Sequence, residues 1–98
     1  MALSLGQNEV FAVRESFEVK PQHATGHAPG LVIVLDRRIG LELSLVTEMD
    51  AIVRLPSGDS VRYTIDEAKD HLAATSLFFS GKTKNDVPNE ATIVIATR

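Results

Sequence analysis

Apolar and polar side chains alternate with a period of two along most of this chain, the pattern of strands with one face buried and one in water. Between residues 10 and 20, Phe11, Val13, Phe17 and Val19 fall on one face, and Ala12, Arg14, Ser16, Glu18 and Lys20 on the other. Glu15 interrupts the apolar face, which marks a bulge or a position at a barrel rim. Residues 31–35 are apolar throughout and predict a strand buried on both faces. Leu41, Leu43 and Leu45 alternate with Glu42 and Ser44 as a third strand, and Ala51, Val53 and Leu55 with Ile52 and Arg54 as a fourth. Pro56, Ser57, Gly58 and Asp59 then form a turn, because proline presets φ and glycine accepts a positive φ. Val61, Tyr63 and Ile65 resume the alternation, so residues 51–65 read as a hairpin. Residues 75–79, ending near Gly81, and residues 91–96 supply two further strands, joined by a polar link with Asp86 and Pro88.

Two segments depart from this period. Residues 21–30 hold two prolines and two glycines and read as a loop. Residues 66–74 carry good helix formers, with Ile65, Ala68 and Leu72 at helical spacing and Thr64 or Asp66 as N-cap. They admit either a short helix or a non-helical connection. The expectation is all-β: a small closed or partly open six- to seven-stranded barrel, with room for one short helical turn.

Length limits this to one core, so residues 1–98 read as a single domain. The net charge of −3 gives no electrostatic reason to bind a phosphate backbone or an anionic membrane. Arg37 and Arg38 are the only adjacent basic pair. Without cysteine, disulfides, thiolate metal sites and cysteine nucleophiles are excluded. The first six residues lack the pattern of a signal peptide, and the longest apolar run, residues 31–35, is far below the ~20 residues that span a bilayer. A cytoplasmic protein is the expectation.

From Met49 to Ile95 the chain resembles the second domain of elongation factor Tu and its relatives among translational GTPases. Met49 and Asp50 stand where that family has a Gly-Asp turn, with residues 51–55 as the strand that follows. Ser76, Leu77, Phe78, Phe79, Ser80 and Gly81 match its apolar strand ending in glycine, Lys82 to Pro88 its polar link, and residues 91–95 its closing strand. Residues 10–13 and 30–38 resemble its first two strands. The resemblance implies a translation-factor type of barrel and a docking role. It departs where Leu35, Asp36 and Arg37 replace a Thr-Gly-Arg pattern, where Ala73 and Ala74 replace a glycine, and at residues 20–29, which have no counterpart. No GxxxxGK[ST] phosphate loop is present, so GTP binding is excluded on motif grounds.

Few side chains suggest chemistry. His23 and His27 have the HxxxH spacing of a helical metal site, with Asp36 as a possible third ligand, but the surrounding prolines and glycines oppose a helix. Asp66, Glu67 and Asp70, beside Lys69 and His71, lack a calcium-loop spacing and read as a solvated acidic face. Ser57, Ser60, Ser76 and Ser80 lie in no nucleophile elbow. Phe78 and Phe79 are adjacent in one strand and face opposite ways, so one belongs to the core and the other to the outer surface. The expected function is therefore a non-catalytic binding module, without catalytic, cofactor or metal residues, that docks to a protein partner or to itself. A small RNA- or ribosome-associated accessory domain is the alternative.

Overall fold

A computed structural model describes residues 9–20 and 29–97. The fold is all-β: strands β1 (Val10–Val19), β2 (Gly30–Leu35), β3 (Met49–Arg54), β4 (Ser60–Thr64), β5 (Glu67–Asp70), β6 (Thr75–Ser80) and β7 (Thr92–Thr97), with one helical turn, α1 (Leu43–Val46). Every pairing is antiparallel, in the order β4-β3-β7-β1-β2-β6-β5.

The long strand β1 holds the sheet together by serving both halves. Val10, Phe11 and Ala12 pair with β7, whereas Val13 and Glu15 to Val19 pair with β2. The register shifts between Val13 and Glu15, so Arg14 is the extra residue of a bulge. The inward faces meet in one core. Phe11, Leu31, Ile33, Leu35, Ala51, Val53, Phe79, Ile93 and Ile95 are fully buried there.

β4 and β5 end the hydrogen-bonded order without pairing to each other, which makes this a partly open barrel. Side chains close the gap. Tyr63 on β4 meets Phe79 on β6 edge-on, with ring centroids 6.2 Å apart, and α1 packs against β3 and β5 with Val46 fully buried. At the other end, the link after β6 buries Val87 and Ala91. Asn89 there accepts a hydrogen bond from Ser16 (3.2 Å), and Lys84 donates its backbone N–H to Glu18 (3.1 Å).

Two expectations need correction, and the open choice at residues 66–74 is decided. Leu41, Leu43 and Leu45 do not form a strand: Leu43 and Leu45 lie in α1, whose Val46 and Leu45 amides donate to the Glu42 carbonyl. The buried positions Ile39 and Val46, with half-buried Leu43 between them, follow helical spacing, and Leu45 is exposed. Residues 66–74 are not helical but form β5 and the turn into β6. Pairing with β6 overrides helix propensity there, and of the β5 side chains Ala68 packs toward the core. Finally, Phe17 and Val19 do not share a face with Phe11 and Val13. A bulge moves every later side chain to the opposite face. Ser16 accordingly stands opposite Ile33 on the inner side, and Phe17 stands opposite Val32 on the outer.

The turns form as the sequence predicts. Gly58 and Gly81 adopt φ of +98° and +75°, in the left-handed region that disfavours a side chain. The Gly81 amide donates to the Pro29 carbonyl at 2.9 Å, tying the end of β6 to the start of β2.

Candidate binding groove

The bulge gives the β1–β2–β6–β5 half an apolar outer surface. One row across it runs Phe17, Val32, Phe78, Glu67, and the next runs Glu15, Val34, Ser76, Lys69. Phe17 is 47% exposed, and Val32, Val34 and Phe78 are half-buried. Gly30 sets the height of the Phe78 ring: a Cβ at Gly30 would stand 2.6 Å from ring carbons Cε1 and Cζ, and 2.6 Å from the Phe79 carbonyl oxygen. Only a glycine allows so close an approach.

These rows line a groove of about 220 Å³, bounded by Phe17, Val32, Phe78 and Leu77 and rimmed by Glu67, Lys69 and His71. A second, wider depression of about 410 Å³ continues along the strands past Phe17 and His71 to Val34, Leu72 and Ala73, with Arg14 and Glu15 on its β1 side. Leu72, at the tip of the β5–β6 turn, is fully exposed. The His71 amide closes that turn by donating to the Ala74 carbonyl at 2.8 Å.

Beneath the turn lies a polar knot. The buried Thr75 hydroxyl donates to Asp70 at 2.6 Å and accepts the Ile39 amide at 2.9 Å, while Arg38 pairs with the other Asp70 oxygen at 3.0 Å. The Thr75 hydrogen bond, followed by that of Arg38, holds the Asp70 carboxyl below the ordinary carboxylate range. Across the barrel mouth, burial pushes the Tyr63 hydroxyl up, with the charge of Asp86 adding to the shift.

Phe79 fills the core, and Phe78 lies on the outer face. Of the acidic group, Asp70 belongs to the knot, Asp66 accepts the Ser80 amide at 2.8 Å, and Glu67 faces the groove. Ser57 bonds with Asp59 in its turn, and Ser60 is exposed on β4. Ser76 and His71 do meet, with Oγ and Nε2 2.9 Å apart, which is within reach for a nucleophile and base. Asp70 is committed to Thr75 and Arg38, and Ser76 is nearly buried, so this contact satisfies a hydroxyl on the groove floor. His23 and His27 lie outside the described residues. Their proposed third ligand, Asp36, is bonded to Arg37 and to the Ala12 amide.

The arginine pair is also engaged. Arg37 stacks over the Phe11 ring at 4.3 Å, pairs with Asp36 and donates to the Val10 carbonyl, and Arg38 is held by Asp70. By contrast, Arg14, Glu15, Glu67 and Lys69 around the groove make no ion pair among the described residues. The sequence alternation misplaced Phe17 and passed over Val32, Val34 and Leu72 as a surface. The one signal that could have found the groove was Glu15, because a bulge there turns Phe17 outward.

No protein-family model, curated protein or solved structure matches this chain, so the resemblance to the translational-GTPase barrel rests on the residues that carry it.

Proposed function

We propose that this chain is a non-catalytic binding module that docks a protein partner on the outer face of its β1–β2–β6–β5 half. The observation that carries this reading is the apolar groove between Phe17 and Phe78, open to solvent on a face whose edges bear both charge signs. Exposed apolar surface rimmed by polar side chains is the usual form of an interaction site. Residue chemistry supports the non-catalytic part. The carboxylate nearest His71 and Ser76 in sequence is tied to a threonine and an arginine, so it is not free to orient the imidazole.

Capture from the native cell, with both bound protein and bound RNA identified, tests the reading when wild type and Phe17→Ser are compared. The expected result is a discrete protein recovered with the wild type and lost with Phe17→Ser. RNA recovered equally with both would favour an RNA-associated accessory and sink the proposal.

A further inference from the structure

We infer that the groove takes an extended segment of a partner protein, inserting two apolar side chains spaced i and i+2. This deepens the binding-module reading and rests on it. Three quantities on the face select that occupant: area and charge against a second copy of the chain or a nucleic acid, and volume for the spacing of its side chains.

The first is area. The face spans four strands, about 19 Å at ~4.8 Å per strand, and about five residues along them, ~17 Å at ~3.3 Å each. That is roughly 320 Å² per partner, well short of the ~800 Å² per partner of a standard stable interface. A homodimer through this face alone is too small.

The second is volume. The inner lobe holds about 220 Å³, below the ~300–1,000 Å³ of ordinary small-molecule pockets, and the outer lobe about 410 Å³. The inner lobe suits one large side chain. The outer lobe shares Phe17 and His71 with it and continues in the strand direction, from the Val32–Phe78 row to the Val34–Ser76 row and beyond. Rows on one face of a strand are two residues, ~6.6 Å, apart, which is also the spacing of side chains i and i+2 on an extended peptide. A segment lying along β2 and β6 therefore delivers its alternate side chains into successive lobes.

The third is charge. One rim carries Glu67 and Lys69 and the other Arg14 and Glu15, one cation and one anion each, with His71 between the lobes. Such rims give no net attraction to a polyanion or a polycation. They fit a segment of low net charge, whose binding depends little on salt.

The test is a titration of the full chain, followed by ¹H–¹⁵N correlation spectra, with two acetylated and amidated peptides. The probe is Ser-Thr-Phe-Thr-Leu-Thr-Ser, and its control Ser-Thr-Phe-Leu-Thr-Thr-Ser has the same composition with the apolar residues adjacent. The probe should shift resonances of Phe17, Val32, His71 and Phe78 saturably, at least about tenfold more tightly than the control, a loss expected of an anchor side chain. Raising the salt from about 50 to about 500 mM should change its Kd less than about twofold, since exposed charges are screened. Phe17→Ser should weaken binding about tenfold with the rest of the spectrum intact. Equal affinity for both peptides, or shifts outside the groove, would overturn the inference, while a protein captured through Phe17 would leave the binding-module reading standing. Displacement of the probe by a peptide of residues 1–8, where Leu3 and Leu5 have the same spacing, would assign the groove to the chain itself and also overturn it.

Discussion

The two halves of the sheet share β1 and one core, yet their outer faces are finished differently. On the β4–β3–β7 half, the row Arg62, Ile52, Val94, Val10 ends in a charge that is neutralised locally. Arg62 pairs with Asp50 at 3.2 Å and donates to the Thr97 carbonyl, and Val94 is only 7% exposed. On the β1–β2–β6–β5 half, Phe17 stays about half exposed and four charged residues at the rims make no ion pair among the described residues. The first face has a nearly buried centre at Val94 with Val10 left 45% exposed at its edge, and the second carries an apolar groove between charged rims. The boundary between them is the bulge at Arg14.

The largest expected effect comes from the side chain that joins the halves. Phe79 is fully buried and bridges to Tyr63, so Phe79→Ala should cost about 3–5 kcal/mol by urea denaturation, with both halves unfolding together. Separate transitions for the two halves would break the picture of a shared core. Gly30→Ala acts on one face only: the new methyl meets both the Phe78 ring and a fixed carbonyl. A loss of about 1–3 kcal/mol is expected, together with loss of peptide binding as the ring is displaced. Gly81→Val has open space around its side chain, so its cost is backbone strain alone, about 1–2 kcal/mol. A change near zero would show that the left-handed turn is not needed.

Asp70 sharpens the comparison through pH. Its carboxyl is held below its ordinary value in the folded chain. The resulting stabilisation is therefore fully present above the ordinary carboxylate pKa and is lost as pH falls through the lower folded value. Asp70→Asn should flatten the stability profile below about pH 4, where an ordinary Asp titrates, and an unchanged acid limb would remove the knot from the account. The smallest effect belongs to Phe17→Ser, which should alter stability by no more than about 0.5 kcal/mol, as expected for a surface site. Val94→Ser, on the outer face of the other half, should cost clearly more, because that side chain is nearly buried.

Much of the fold was legible because strand, turn and core signals are local. The 51–65 hairpin, the glycine turns and the opposed Phe78 and Phe79 all follow from alternation and backbone stereochemistry. What stayed hidden depended on long-range pairing. Leu41, Leu43 and Leu45 satisfy a period of two and a helical turn alike, and the choice is made by Val46 packing between β3 and β5. Residues 66–74 contain a strand only because β6 offers an edge. The misread strand at residues 41–45 gives way to β5, so the expected six to seven strands meet seven among the described residues. The groove was hidden for a subtler reason. Glu15 signalled the bulge, but the consequence, that Phe17 changes sides, appears only when the register against β2 is followed residue by residue.

That change of side is the central claim, and the absence of native cysteine allows a direct measurement. Single variants Phe11→Cys and Phe17→Cys would be reacted with a thiol reagent under native conditions, and their rates compared with those in denaturant. The account predicts a Phe17→Cys rate within about an order of magnitude of the denatured one, because its strand position faces water. It predicts strong protection at Phe11→Cys, whose position is fully buried and reacts only when the chain opens. Equal protection at both positions would put Phe17 back on the core face, contradicting the bulge and the groove built on it.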